Sequence, residues 1–381
     1  MGISNRQVGV ILLALYLMLQ IGTSQAATNY IDVHVHLRGT TKSGMLGSSS
    51  NPGLRPGQKR PDRRAPAEKG SSQTQEKNLQ IAAENLIRKM DEHGVQQALV
   101  VIVPGPISNE SEETSIRQAV MRHPERLKLL AGGAVLSPYL QNISPEKVTD
   151  TDRSIFRKVA EQVLQDGAVG FGEMISYHLS MADHHSFQHA PPDHPLYLLL
   201  ADIAAEHNVA IDLHMEAIVN RRPMPENLQR ASDKNPKTLE PTIPAFERLL
   251  THNRKARIVW QHIGWDNTGD MTPELLNRLL STHPNLYIAL RIEERATQVG
   301  AGGPMPNRLI DEKGKLKSEW LGIVKKFSDR ITIGTDEFFF PIESKRPNQS
   351  FEKTWSVLDQ FTPELAQKIG RDNAQRIYNL K

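Results

Sequence analysis

Short apolar runs rich in β-branched residues recur eight times along this chain, and segments with helical periodicity separate them. In most of these runs apolar residues fall on both faces of the strand, which is typical of strands buried on both faces of a parallel sheet. The runs predict strands over residues 31–36, 97–103, 127–136, 168–174, 209–214, 257–262, 286–292 and 331–336.

The intervening segments are predicted as helices, and the alternation of the two kinds of element indicates the fold. The helices are expected at 79–92, 114–123, 154–165, 195–207, 244–252, 273–282, 316–327 and 363–380. Eight alternating units favour a single α/β domain over residues 27–381, folded as a (β/α)8 TIM barrel. A doubly wound open sheet is the alternative, but it would not explain why polar side chains end strands all around the set.

Two long loops follow the first and the fourth predicted strands. The segment Thr40–Lys77 is rich in Gly, Ser, Pro, Lys and Arg and has no apolar periodicity, so we expect a long insertion after strand one or a partly disordered lid. The loop over 175–194 is expected to carry polar side chains at the rim of the barrel rather than a second metal site, and His189 or His194 is a candidate substrate contact. Its histidines are His178, His184, His185, His189 and His194.

The first 26 residues have the pattern of a secretory signal peptide. Arg6 precedes an apolar run over 8–22, and Ser24 and Ala26 place small residues at the two positions that a signal peptidase reads. The run is short for a membrane span, and a retained anchor is the alternative. We therefore expect an exported protein, periplasmic or secreted, whose mature chain begins near Ala27.

Composition excludes several other classes of protein. The net charge of +3, without a large basic cluster, argues against a nucleic-acid partner. The chain contains no cysteine, which excludes disulfides, thiolate ligands, a cysteine nucleophile and a lipoprotein anchor. The expected partner is a small-molecule substrate. No membrane partner is expected once the signal segment is removed, and a homo-oligomer is left open.

The first predicted strand ends in two histidines one residue apart. Alternate side chains of a strand point to the same side, so His34 and His36 project together with a spacing that suits two imidazoles on one metal ion. A barrel would gather further donors from later strand ends at the same mouth. The joint placement predicts a centre for one or two divalent ions, with zinc the first expectation from the imidazoles. The further donors are Glu173, His214, His262 and Asp336.

The predicted donors suggest a chemical role for the centre. A divalent ion lowers the pKa of a bound water towards neutrality. Asp336 is predicted to orient that water and take its proton, because an ionised carboxylate accepts protons. His262 is expected to be a ligand or to polarise the substrate oxygen, and Glu173 could bridge two ions through its two oxygens. Taken singly, each residue also has an ordinary structural explanation as a hydrogen-bonded histidine, a cap or an ion-pair member.

The order of these residues resembles the amidohydrolase superfamily, most closely its amidohydrolase-related (amidohydrolase-2-like) branch of barrel hydrolases and decarboxylases. In that superfamily a histidine pair ends strand one, a carboxylate or carbamylated lysine ends strand four, histidines end strands five and six, and an aspartate ends strand eight. The resemblance covers Tyr30 to Leu380 and includes Asp193-His194-Pro195-Leu196-Tyr197 and Asp372-Asn373-Ala374. Strand four offers Glu173 and no lysine, which argues against a pair of metals bridged by a carbamate.

Two arginines indicate an anionic substrate. Arg38 lies two residues beyond His36, and in dihydroorotase-like members of the superfamily an arginine at this position binds a substrate carboxylate. Arg291 ends the seventh predicted strand, and a guanidinium pairs bidentately with a carboxylate. The structural alternative for Arg291 is an ion pair with Glu293 or Glu294.

The sequence therefore predicts an exported, metal-dependent hydrolase that cleaves a C–N, C–O or lactone bond of a small, carboxylate-bearing molecule. A metal-dependent non-oxidative decarboxylase would use the same ligands and is the main alternative. A non-catalytic periplasmic binding protein is the third interpretation. Asp336 and His262 argue against it, because binding alone needs no group that activates water.

Overall fold

The structure is a computed structural model, and it describes residues 29–39, 72–102, 110–182, 185–298, 301–341 and 349–381. The predicted signal peptide over 1–26 lies outside these ranges, as do residues 40–71 of the predicted insertion. Residues 72–77, which were assigned to that insertion, belong to the first helix. Among the helices in the described ranges, none combines the length and the apolar composition needed to cross a membrane.

A single curled sheet of parallel strands forms the frame of the molecule. The parallel strands follow one another in the order β11-β10-β9-β6-β4-β3-β2-β1-β12, and the short β5 pairs with β4 in antiparallel orientation. The strands are β1 (Tyr30–Leu37), β2 (Val95–Val101), β3 (Leu127–Gly132), β4 (Gly170–His178), β5 (Gln188–His189), β6 (Ala210–Met215), β7 (Arg222–Pro223), β8 (Thr238–Leu239), β9 (Arg257–Ile263), β10 (Leu286–Leu290), β11 (Ile331–Ile333) and β12 (Glu337–Phe339).

The eighth barrel strand is divided into two pieces, β11 and β12, by residues 334–336. The first piece pairs with β10 and the second pairs with β1, so the two pieces together bring the last strand against the first. This arrangement confirms the predicted (β/α)8 barrel. It also leaves Asp336 in the gap between the two pieces, at the mouth of the barrel.

Helices pack around the sheet between successive strands. They are α1 (Ser72–Glu92), α2 (Glu110–Met121), α3 (Gly133–Asn142), α4 (Asp150–Gln165), α5 (Pro195–Glu206), α6 (Glu226–Ala231), α7 (Ile243–His252), α8 (Pro273–Thr282), α9 (Ser318–Lys326), α10 (Gln349–Leu358), α11 (Pro363–Gln367) and α12 (Asn373–Tyr378). Several begin on a capping residue. Thr149, for example, accepts a hydrogen bond from the backbone N–H of Asp152 and completes a capping box at the start of α4.

The structure corrects the prediction for the third strand. That strand ends at Gly132 rather than at residue 136, and α3 begins at once. Gly132 has φ +106°, a conformation that favours glycine and turns the chain sharply. A Cβ on Gly133 would lie 2.4 Å from the carbonyl oxygen of Glu173, so glycine allows α3 to start directly against the candidate site.

The barrel interior is filled by small and branched apolar side chains, and its lower end is closed by the end of the chain. Ile377 and Tyr378 of α12 pack with Ile31 and Val33 of β1 in one interior cluster. Val35, by contrast, packs in the layer between sheet and helices. The pairing of β1 with β2 shifts register between Asp32 and Val35, and such a bulge changes which side chains face inward. Beyond this shift, the side chains of His34 and His36 point inward at the mouth of the barrel.

Candidate metal centre

Six polar side chains meet at the carboxyl-terminal mouth of the barrel, as the sequence predicts for parallel strands that end together. They come from five strand positions, β1, β4, β6, β9 and the gap between β11 and β12. Four are buried, and two are partly exposed towards the mouth. The six are His34, His36, Glu173, His214, His262 and Asp336.

The two histidines of β1 present the same kind of nitrogen to a common point. The Nδ1 atom of His36 donates a hydrogen bond to the carbonyl oxygen of Val101 at 2.9 Å, and Nδ1 of His34 donates to Asp212 at 3.3 Å. Their Nε2 atoms therefore face each other, 3.2 Å apart, with Oδ1 of Asp336 only 3.0 Å from Nε2 of His36. Two nitrogen lone pairs and a carboxylate this close together require a cation between them, so these residues fit a metal ion.

The electrostatics of His34 support the same conclusion. Burial disfavours its charged form, but the hydrogen bond to Asp212 and the charge of Glu173 raise the pKa of His34 to about 9. The surrounding carboxylates thus stabilise a positive charge at Nε2. A divalent ion would take the place of that proton, because metal ligands bind in their deprotonated form.

Glu173 brings the other half of the centre together. Its Oε1 atom accepts hydrogen bonds from Nδ1 of His214 at 2.7 Å and from Nε2 of His262 at 3.1 Å. Burial opposes ionisation, yet these two contacts hold the pKa of Glu173 well below its usual value. Glu173 is therefore a carboxylate that can serve as a ligand.

The donor atoms form two overlapping groups of three, in each of which all atoms lie within 4.8 Å of one another. One group contains His34, His36 and Asp336, and the other contains His34, Glu173 and His262. Because His34 belongs to both groups, the arrangement can hold one ion or two neighbouring ions.

Two residues that sequence analysis did not identify hold His34 in position. Asp212 accepts the Nδ1 proton of His34 and also accepts hydrogen bonds from Gln261 and from the hydroxyl of Tyr378. Asp32 accepts from the backbone N–H groups of His34 and Thr335. Groups of this kind fix the orientation of a ligand histidine and the nitrogen that it presents. Asp212 could have been identified from the sequence, because it is a carboxylate inside an otherwise apolar strand, two residues before His214.

The predicted substrate arginines both lie at the mouth, but each already has an acidic neighbour. Arg38 is 4.0 Å from Glu112 and lies over the ring of Phe338. Arg291 contacts Asp336 directly, lies 3.7 Å from Glu293 and stacks 3.9 Å from the Trp265 ring centre. The ion pair with Glu293 weighed as the structural alternative is therefore present.

The histidines of the loop after β4 are found in different surroundings. His194 does not join the cluster, because its Nδ1 caps the backbone N–H of Leu196 and its Nε2 donates to the carbonyl of Ile143 at 2.8 Å. His189 is exposed on β5, and His184 lies outside the described residues. His178, which was expected among the rim residues, instead lies 2.7 Å from His214.

A parallel barrel whose strand ends converge on four histidines and two carboxylates defines an enzyme of the amidohydrolase superfamily. The family model described as Amidohydrolase matches residues 31–380. The chain therefore belongs to the amidohydrolase family, and the predicted family resemblance is confirmed.

Several solved structures are similar to the chain. One is 5-carboxyvanillate decarboxylase from Novosphingobium aromaticivorans, complexed with manganese and 4-hydroxy-3-methoxy-5-nitrobenzoic acid, at 13% identity and TM-score 0.46, covering 93% of this chain and 97% of that chain. Another is 4-oxalomesaconate hydratase from Rhodopseudomonas palustris, at 13% identity and TM-score 0.45, covering 92% and 96% of the two chains. A third is the phosphotriesterase homology protein from Escherichia coli, at 9% identity and TM-score 0.43, covering 92% and 99%. No curated protein matches the chain.

Proposed function

We propose that this protein is an exported, metal-dependent hydrolase that cleaves a C–N, C–O or lactone bond of a small molecule bearing a carboxylate. The observation that carries the proposal is the convergence of imidazole and carboxylate donors around Asp336. Export rests on the signal-peptide pattern of residues 1–26 alone. Family membership supports an enzyme with a small-molecule substrate, and the reaction is the finer step proposed here.

The metal would be held by the six converging side chains described above. When bound, a divalent ion supplies Lewis acidity at a substrate oxygen and lowers the pKa of water. The donor set of imidazoles and carboxylates suits zinc, and it also suits manganese. We propose zinc as the native ion, because four of the six donors are imidazoles.

Asp336 is the residue proposed to accept a proton from the attacking water. Burial opposes its ionisation, but the positive charge of Arg291 holds the pKa of Asp336 well below its usual value. It is therefore ionised at neutral pH and acts only as an acceptor. Its Oδ2 atom lies 3.8 Å from Nδ1 of His262, so both groups face the same reacting volume.

His262 is proposed to act as a neutral group. Burial lowers the pKa of His262 to about 4, which excludes an imidazolium at neutral pH. A neutral imidazole can bind a metal through one nitrogen and hydrogen-bond through the other, so it orients the site without donating a proton.

Arg291 supports the proposal of an anionic substrate. Its guanidinium lies over the Trp265 ring, and its Nε atom has no hydrogen-bond partner among the described residues. A buried N–H without a partner is unfavourable, and a substrate carboxylate could accept from it. Arg38 offers a second cation after β1, on the other side of the divided eighth strand.

The test is a panel of lactones, esters, amides and aromatic acids, assayed with protein loaded separately with zinc and manganese. Elemental analysis comes first, and we expect at least one tightly bound divalent ion per chain. Hydrolysis that disappears after chelation and returns with metal supports the proposal. Release of carbon dioxide from an aromatic acid would identify a decarboxylase instead. Ligand binding without any turnover would indicate a binding protein.

A further inference from the structure

A small cavity lies beside the candidate metal centre, between the ends of β6 and β9. His214 and His262 form one side of this cavity, so it borders the atoms that are expected to react. Its other walls are mostly apolar, with one carboxyl group among them. These walls include Met215, Glu216, Trp265 and Met271.

Strand geometry directs Glu216 into the barrel mouth. Its backbone N–H donates to the carbonyl of Tyr177 at 3.1 Å, so β6 keeps its extended course for one residue beyond Met215. Side chains two residues apart on a strand point to the same side, and Glu216 therefore lies on the same side as His214. The residue is only 3% exposed.

Asn267 holds the carboxyl group of Glu216 in place. Nδ2 of Asn267 donates to Oε1 of Glu216 at 2.6 Å. Gln298 in turn donates to the carbonyl of Asn267 at 2.8 Å and so fixes the loop after β9. A carboxyl group offers about four acceptor positions, so acceptor capacity remains on the side of the cavity.

Compensation for burying this carboxyl group is incomplete among the described residues. Glu173 and Asp336 each contact a basic side chain, but no Lys, Arg or His of the described ranges lies within 4.0 Å of the Glu216 oxygens. Glu216 also belongs to neither group of metal donors. Burying a carboxyl group with too few hydrogen bonds is unfavourable, and a ligand that donates from the cavity would reduce this cost.

Trp265 places the cavity next to the proposed carboxylate site. Its ring lines the cavity, and the guanidinium of Arg291 stacks 3.9 Å from the centre of the same ring. The ends of β9 and β10 approach closely because residue 264 is a glycine, since a Cβ on Gly264 would lie 2.5 Å from the carbonyl oxygen of Arg291. A substrate at the centre therefore meets a cation at Arg291 and an acceptor at Glu216.

We propose that Glu216 is a specificity-determining residue that accepts a hydrogen bond from an N–H or O–H group of the substrate. The inference rests on the proposed function, and it narrows the substrate class to small carboxylates that also carry an amino or hydroxyl group. The apolar walls formed by Met215, Trp265 and Met271 strengthen this contact, because they exclude water from it. A hydrogen atom or methyl group in the same position would leave the carboxyl oxygens without this partner.

Equilibrium binding tests the inference without any need for turnover. The probes are butyrate and the butyrates that carry one amino or hydroxyl group at each successive carbon, titrated into purified, zinc-loaded protein by calorimetry. We expect at least one substituted acid to bind about 10- to 100-fold more tightly than butyrate. If none binds more tightly than butyrate, the inference is overturned. The substrate panel decides the reaction separately, so a failure of the proposed function is distinguishable.

Glu216→Gln inverts the hydrogen-bonding group that faces the cavity. Asn267 still donates to Oε1 of the amide, which leaves Nε2 towards the cavity as a donor. We expect the preference for the amino or hydroxyl acid to fall to within about twofold, and the corresponding oxo acid, whose added group only accepts, to bind more tightly than in the wild type. A preference that survives in this variant would assign the extra affinity to the metal ion and overturn the role of Glu216.

Glu240→Gln is the matched control, because Glu240 lies on the segment between β6 and α7 but is exposed and paired with Arg221. It should bind every probe as the wild type does. Glu216→Met removes the acceptor while keeping most of the volume, and it should also lose the preference. Thermal unfolding of each variant shows whether the fold has survived, and the wild-type titration can overturn the inference even if neither variant of Glu216 folds.

Discussion

His262 and Asp336 both carry their side chains on left-handed backbone, with φ values of +63° and +53°. This conformation costs a non-glycine residue on the order of 1–3 kcal/mol, and it persists only where neighbouring contacts enforce it. At Asp336 one such contact is its own N–H, which donates to the carbonyl of His34 at 2.8 Å. The residue type at these positions is therefore set by side-chain chemistry and not by backbone preference.

Changing Asp336 to Asn tests this chemistry with little disturbance of the backbone. Asparagine tolerates the left-handed region and keeps one acceptor oxygen, so the variant should fold. It cannot take the proton of water at a useful rate, and we expect turnover to fall by about 100-fold or more. The measurement is kcat of the metal-loaded variant on whichever substrate the panel identifies.

The control for this variant is Asp329→Asn, which changes an exposed carboxylate just before β11. It should leave turnover within about twofold of wild type, as expected for a surface ion pair. Metal content should be measured for both variants. Near-normal turnover in Asp336→Asn would mean that this carboxylate is only structural.

At the scale of elements, the buried side chain of His194 helps to join α5 to the end of α3. His194 caps α5 through Nδ1 and donates through Nε2 to Ile143, the residue that follows α3. Burial lowers the pKa of His194, against the effect of the hydrogen bond to Ile143. His194 is therefore neutral in the folded protein, while the unfolded chain takes up a proton below its ordinary pKa of 6.5.

This difference gives a pH-dependent prediction for His194→Ala. The unfolded state binds more protons as pH falls, so the stabilisation by His194 is complete above 6.5 and is lost as the pH drops below that value. We expect the variant to lose about 1–3 kcal/mol at about pH 7.5, and less at about pH 5. Urea unfolding of wild type and variant at the two pH values gives the difference directly.

Activity distinguishes this role from the substrate contact that the sequence suggested. If His194 only joins two helices, His194→Ala should keep kcat/KM once the protein is fully folded. A loss of activity together with unchanged stability at both pH values would restore the substrate role.

Elements with strong periodicity were predictable, and their junctions were not. The strand ending in His34 and His36 and the strand ending in His214 lie within one or two residues of their predicted bounds. The third strand was predicted too long because residues 133–136 are as apolar as a strand. What ends that strand is the turn at Gly132 and the close approach of Gly133 to Glu173, a contact between distant parts of the chain. His178 was missed for the same reason, since its partner His214 is 36 residues away.

At the scale of the whole molecule, closure of the barrel converts the order of donors along the chain into a ring. That step was predictable, because parallel strands end at one face. The buried residues that hold these donors in position were not predictable. Tyr378, near the end of the chain, reaches through the lower end of the barrel to Asp212 and so to His34. Only the closed barrel brings these three residues together.

Closure also brings Arg38, after β1, and Arg291, after β10, to the same face, because the divided eighth strand lies between β1 and β10. If either arginine binds a substrate carboxylate, its change to Met should lower kcat/KM for an acid substrate by roughly 10- to 150-fold, which corresponds to about 1.5–3 kcal/mol for a charge-assisted contact. The loss should be smaller on the neutral amide of the same substrate. Arginine suits the role because its planar fork matches a carboxylate.

The ratio of acid to amide activity is the quantity that decides this prediction. Arg291 also contacts Asp336, so Arg291→Met will disturb the centre itself and reduce activity on both substrates to some extent. Arg291→Lys keeps the charge and should recover part of that common loss, but not the selectivity for the acid, because an ammonium lacks the fork. Arg295→Met is the matched control, since Arg295 also lies over Trp265 but is half-exposed and paired with Glu293. Equal losses on acid and amide, with a lower melting temperature, would assign both arginines to holding the mouth of the barrel together.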